Sequence, residues 1–190
     1  NQAYLIATKD LYHDKDQNLL THKIARKEAF LSISNLNAAF QRLTQDPKSK
    51  QKEYQLIYEL VTLNQTIVSA IASIGSFIVN HKTTPASKEF DLLISKIADN
   101  LQLCCTELTG LPPTIQTDSD ATKEAEDALL KTFQDLSNER DENIKKGHTE
   151  LSVEDLHHLQ EAYLIYNQLI WLKSLTENLK KVTANYTKVL

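Results

Sequence analysis

Apolar residues recur three and four positions apart along almost the whole chain, which is the spacing of one face of an α-helix, and no segment alternates as a half-buried strand would. Residues 3–13 carry Leu5, Thr8, Leu11 and Tyr12 at this spacing with no capping residue in front, so the segment reads as the tail of a longer helix. A polar break over residues 14–18 precedes a second helix expected over residues 20–45, with the stripe Ala29, Ile33, Leu36, Phe40 and Leu43. Pro47 disfavours helical backbone at Asp46, so this helix is expected to stop there, with Asp46 capping the next one and almost no loop between them.

The third helix, over residues 47–81, is predicted to be the long central element. Ile57, Leu60, Asn64, Ile67, Ile71, Ile74 and Ile78 form its main seam, and Val61, Leu63, Val68, Ala70, Phe77 and Val79 make further faces apolar. Thr84-Pro85 suggests another capped start, followed by the stripe Phe90, Leu93, Ile97, Leu101, Cys104 and Leu108 and a stop at Gly110. Residues 110–119 are the longest expected internal loop. A charged fifth helix over residues 120–146 carries Leu129, Phe133, Leu136 and Ile144 and ends at Lys145-Lys146-Gly147. Ser152 and Asp155 resemble a capping box for a last helix with Leu156, Leu159, Tyr163, Tyr166, Ile170, Leu172, Leu175, Leu179, Val182, Tyr186 and Val189. Its later spacing fits a bundle face or a short coiled-coil seam. The prediction is an all-α antiparallel bundle of about six helices forming a single domain over residues 1–190.

Composition narrows this further. Three glycines and four prolines are too few for the turns of an all-β fold. Twenty-one basic and 25 acidic residues, with the bases scattered, argue against a nucleic-acid partner, which requires a concentrated basic footprint. Cys104 and Cys105 are adjacent in a helical stripe, which fits a reducing compartment and offers no CxxC signature. The absence of methionine suggests an excised or processed piece. The most apolar stretch, residues 66–79, is too short to cross about 30 Å of hydrocarbon, so the piece is expected to be soluble.

Little in the chain suggests chemistry. A helical di-iron site needs two Glu-x-x-His pairs. Glu154 with His157 has that spacing, Asp10 with His13 only approaches it, and His157-His158 point in different directions, so neither metal nor other cofactor is expected. No glycine-rich phosphate loop or nucleophile elbow is present, and Cys104 on an apolar stripe reads as a small hydrophobe. No catalytic residue is assigned. Asn64, which interrupts the isoleucine seam, either sets packing specificity or is bonded to a neighbouring helix.

Residues 26–51, from Arg26 through Asn35-Leu-Asn-Ala-Ala-Phe-Gln-Arg42 to Pro47-Lys-Ser-Lys-Gln51, resemble the soluble portion of fusaric-acid-resistance (FUSC-type) integral membrane proteins. Residues 4–13 and the third helix resemble it more loosely, and the chain after Gly110 carries no comparable signature. The resemblance implies a non-catalytic assembly or regulatory domain on the cytoplasmic face of a bacterial inner membrane, attached to the transmembrane block of an exporter. Its partners would be that block and sister subunits, while the exported aromatic acid would not bind this domain. Arg26, Arg42, Lys48 and Lys50 are then the candidate interaction residues; residue type alone favours an ordinary solvated corner over a basic contact surface, and the resemblance narrows that difference. The alternatives are a free-standing helical scaffold or protein-binding module and, more remotely, a metal-dependent bundle enzyme.

Overall fold

The computed structural model describes residues 1–45, 53–111, 119–146 and 153–189. They form six helices: α1 (Gln2–His13), α2 (Lys15–Gln45), α3 (Tyr54–Asn80), α4 (Lys88–Thr109), α5 (Ser119–Lys145) and α6 (Val153–Val189). The all-α expectation holds, and among the described residues there is no strand.

Successive helices run antiparallel, as the paired residues show. Tyr4 of α1 meets His22 of α2, Asn37 of α2 meets Gln65 of α3, and Glu126 near the start of α5 meets Lys173 midway along α6. Four helices close a ring in the order α1, α3, α6, α4, each touching the next, and α3 does not touch α4. α2 lies outside the ring against α1 and α3, and α5 lies outside it against α4 and α6. The core inside comprises Leu5 and Leu11 of α1, Ile67, Ile71, Ile74 and Ile78 of α3, Phe90, Leu93, Ile94 and Ile97 of α4, and Leu169, Leu172 and Leu179 of α6. Each such side chain contributes about 1.5–3 kcal/mol by leaving water. By length and composition α3 could cross a membrane; here its apolar faces lie against α1, α2 and α6.

Several boundaries differ from those expected, each for a local reason. Only Asp14 interrupts α1 and α2: its backbone is extended and its carboxylate accepts the Gln17 N–H at 3.1 Å, so α2 starts at Lys15. α3 starts at Tyr54 instead of 47, because Glu53 is left-handed (φ 55°) and breaks helical continuity. The anticipated Asp46-Pro47 cap lies outside the described residues, as do Gly147 and Ser152. Thr84 does not cap α4. Ser87 does, accepting the Phe90 N–H at 3.2 Å, and Thr84 is engaged elsewhere. Gly110 ends α4 in the left-handed conformation, as its residue type suggests.

The stripe of α1 is buried as expected, that of α3 from Ile67 to Ile78 with Ile57, Leu60 and Asn64 only half-buried, and that of α4 as far as Cys104, while Leu108 is exposed. On α5, Leu129, Phe133 and Leu136 are half-buried and Ile144 is exposed. On α6 the expected Leu159, Leu172, Leu175 and Leu179 are buried, joined by Glu161, Ile165, Leu169, Thr176 and Thr183, whereas Leu156, Tyr163 and Val189 are exposed. The shift arises because α6 serves three neighbours, α3, α4 and α5, and its aromatic flank turns toward Phe133 of α5.

Polar bonds fix the register of these helices. The Asn1 amide donates to Asn64 Oδ1 at 2.7 Å, and Asn64 Nδ2 donates to the Leu60 carbonyl at 2.8 Å, so Asn64 ties the start of α1 to α3. Between α4 and α6, Asn100 donates to Thr176 Oγ1 at 3.2 Å and accepts from Lys180 Nζ at 3.3 Å. At the opposite end of the ring, the Glu161 carboxylate accepts from Tyr12 Oη at 2.6 Å, from the Thr84 N–H at 3.0 and 3.1 Å, and from Thr84 Oγ1 at 3.2 Å. This bond joins α1 to α6 across the diagonal of the ring, where the helices themselves do not touch.

The root of α2 is held by His22, which is 3% exposed and pressed against α3 at Gly75, where a Cβ would lie 2.5 Å from Nε2. Among the described residues neither ring nitrogen of His22 has a hydrogen-bond partner, and the Tyr4 hydroxyl above it has none either. Burial, and secondarily the Arg26 charge, hold the imidazole pKa below its usual value. The folded state therefore favours the neutral ring. The stability this confers is complete above the unfolded pKa of about 6.5 and is lost as pH falls from there through the lowered folded pKa.

Two outcomes follow at this contact. Urea denaturation from pH 7.5 down to 5 shows stability declining below about pH 6.5 with a component that the His22→Phe variant lacks; an identical decline in both removes His22 as its cause. Gly75→Ala, which gains roughly 1 kcal/mol of helix propensity in isolation, here destabilises by about 1 kcal/mol or more, because a buried ring must move, as thermal denaturation would show.

Candidate interaction face

α2 meets the rest of the domain with one narrow stripe. His22 and Ala29 are its only buried residues, and Ile33, Phe40 and Leu43 are half-buried. At about 100° per residue, Leu20, Ile24, Lys27 and Leu31 fall on a line opposite that stripe. These apolar residues are 69%, 50% and 58% exposed respectively, and Phe30 beside them is exposed as well. One solvent-facing leucine is unremarkable, but three large apolar side chains on one line of one helix, with Phe30 about a quarter turn away, form an exposed apolar patch.

The patch is basic. α2 holds Lys15, Lys23, Arg26, Lys27 and Arg42 against Asp16 and Glu28, a balance of +3 in a chain whose total is −4, so the remainder carries −7. Lys23, Arg26, Lys27 and Arg42 are exposed, and among the described residues none of them forms an ion pair. Arg26 lies over the Phe30 ring with its guanidinium carbon 5.7 Å from the centroid, which places a cation at the patch edge.

On the side toward α1 the patch continues into an open groove of about 490 Å³, walled by Ala3, Ile6 and Ala7 of α1 and by Ile24 and Ala25 of α2, with Asp10 and Glu28 at its rim. The three alanines let another helix approach closely, and Ile6 and Ile24 offer it apolar surface.

The sequence-derived candidates separate on the structure. Arg26 and Arg42 are exposed on α2, sixteen positions apart; Lys48 and Lys50 lie outside the described residues. Asn64 is away from the patch, bonded to Asn1 as described above. Cys104 is buried and its thiol pKa is raised, chiefly by that burial, while Cys105 is exposed; both are free. His157 is exposed with its ring 6.3 Å from that of His81, His13 bonds to Asp91 at 2.8 Å, and among the described residues no three metal-ligating side chains converge. The line Leu20, Ile24 and Leu31 escaped sequence reasoning, although its spacing of four and seven was visible beside the inward stripe.

No family model matches the chain, and no curated protein or solved structure is significantly similar to it.

If the outward line of α2 takes no part in the domain's own core, replacing Ile24 and Leu31 together with glutamine changes unfolding free energy by less than about 1 kcal/mol. Ile74→Ala, by contrast, costs about 2–5 kcal/mol. Chemical denaturation of both variants checks this, and a large loss in the first would place the patch inside the folding unit.

Proposed function

We propose that this chain is the assembly or regulatory domain of a FUSC-type membrane exporter, acting on the cytoplasmic side without chemistry of its own, and that the outward face of α2 joins it to the membrane-embedded block or to a sister subunit. The observation that carries the proposal is where the family-like segment falls. Residues 26–45 occupy the outer two-thirds of α2, where Ala29 is the only buried residue, so most of the side chains in that segment are surplus to the domain's own core. A detailed pattern on a helix that its own fold leaves largely uncovered is suited to contact with something else.

The physical character of the face agrees with that role. It combines apolar area with unpaired cations, matching a surface that is part hydrocarbon or helix and part anionic headgroup or carboxylate.

The test uses the whole parent protein in membranes. Cysteine in place of Leu31, in a Cys105→Ser background, crosslinks to the membrane block or to a second subunit, and the paired change Ile24→Glu with Leu31→Glu abolishes assembly while leaving the helical circular-dichroism signal intact. A parent gene that encodes no stretches of about 20 apolar residues beside this domain, or full assembly of the doubly charged variant, overturns the proposal.

A further inference from the structure

We infer that the pocket bordered by Glu161 is a binding site for a small organic cation: a primary ammonium on a body about the size of one aromatic ring. Glu161 is 4% exposed, and among the described residues no cation pairs with it. Buried carboxylates are ordinarily matched by a positive charge, because an uncompensated one costs several kcal/mol. Here the carboxylate is surrounded by donors only, the Tyr12 and Thr84 hydroxyls and the Thr84 N–H, which is the environment of an anion. Burial first, and then the adjoining carboxylate, push the Tyr12 pKa well above its usual value, so the phenol remains a donor.

The two oxygens are unequally occupied. Oε1 receives Tyr12, the Thr84 hydroxyl and the Thr84 N–H, whereas Oε2 receives only a share of that same N–H at 3.1 Å. A carboxylate offers about four lone-pair sites, so acceptor capacity remains on Oε2. Glu161 borders a partly open pocket of about 220 Å³ whose other walls include Tyr12, Phe90, Leu129 and Ile165.

Size and lining set the chemical class. An apolar cavity of about 150 Å³ admits benzene, so this one has room for a single ring and a short substituent. Tyr12 and Phe90 stand edge to face with centroids 4.8 Å apart, and such rings favour an aromatic guest and a nearby cation. The remaining titratable group on the wall is His158, half-buried one turn before Glu161 on α6, with no hydrogen bond or ion pair to it. The carboxylate therefore lacks an internal counter-ion, and a ligand ammonium supplies it.

Isothermal titration of the 190-residue chain at pH 7 with benzylamine, benzyl alcohol and benzoate tests this. Benzylamine binds at a single site about tenfold or more tighter than benzyl alcohol, and benzoate does not bind. Glu161→Gln, which keeps acceptors for Tyr12 and Thr84, lowers benzylamine affinity about tenfold or more. Ala162→Leu, which fills the cavity and leaves Glu161 in place, abolishes binding while the protein stays helical and cooperatively folded. Equal affinity for the amine and the alcohol overturns the inference, as does unchanged binding in folded Ala162→Leu or no binding by the wild-type chain. None of these results bears on the α2 face, so failure here leaves the assembly proposal standing.

Discussion

The isoleucine seam of α3, Ile67, Ile71, Ile74 and Ile78, is the interaction on which the rest of the structure depends. All four residues are fully buried, and they serve two ring neighbours, α1 and α6, while the far side of the same helix receives α2. A helix apolar on several faces collects partners around it, and its burial supplies part of the free energy that offsets the cost of ordering six helices. Once α1, α4 and α6 have closed a ring with α3, no inner position remains for α2 or α5. These two are left outside on opposite edges, each with one face wet. The exposure of the α2 patch is thus a consequence of topology.

Apolar burial is non-directional and would tolerate helices sliding past one another, so the polar bonds have a separate task. Asn1 to Asn64 pins the start of α1, Asn100 with Thr176 and Lys180 pins α4 to α6, and Tyr12 with Thr84 on Glu161 pins the two ends of the ring diagonal. Each is at least half-buried, where losing one partner leaves the other uncompensated at a cost of about 1–3 kcal/mol, so a slipped register is penalised more than the bond itself stabilises. His22 belongs to a different category. It is buried without any partner, which costs stability, and the ring fits only because position 75 has no side chain.

The sequence made the six helices legible, together with the inward faces of α1 and α3, because each has a strong single period and α3 carries few charges to confuse it. It placed Leu159, Leu172, Leu175 and Leu179 of α6 correctly but missed Ile165 and Leu169 and included the exposed Leu156, Tyr163 and Val189, because a helix touching three neighbours has apolar residues on most of its circumference and the pattern cannot rank them. The start of α4 was displaced because Thr84-Pro85 has good capping chemistry locally, while the structure commits Thr84 to a carboxylate 77 residues away, a relation no local pattern contains. For the same reason Glu161 read as one more charge on a long helix. Leu20, Ile24 and Leu31 were overlooked because two apolar lines on one helix look, in one dimension, like a single broad one. Arg26 was found and its partner ring Phe30 was near at hand, but only the fold shows that both remain outside.

α1 is the element that connects the two candidate sites. Its Ala3, Ile6 and Ala7 wall the groove beside α2, and its Tyr12, on the last turn, reaches across to Glu161 and borders the cavity. A helix of twelve residues is about 18 Å long and too short to bend appreciably, so it moves as one body within a close-packed core. Its start is held by Asn1 on α3 and its end by Tyr12 on α6, so it has little freedom to shift along its axis and more to pivot about those bonds. Ile6 and Ala7 lie between those two anchor points and form one wall of the groove whose other wall is Ile24 and Ala25. The short first helix is therefore the one element that borders both candidate sites, and the bonds at its two ends fix the position of its residues in each.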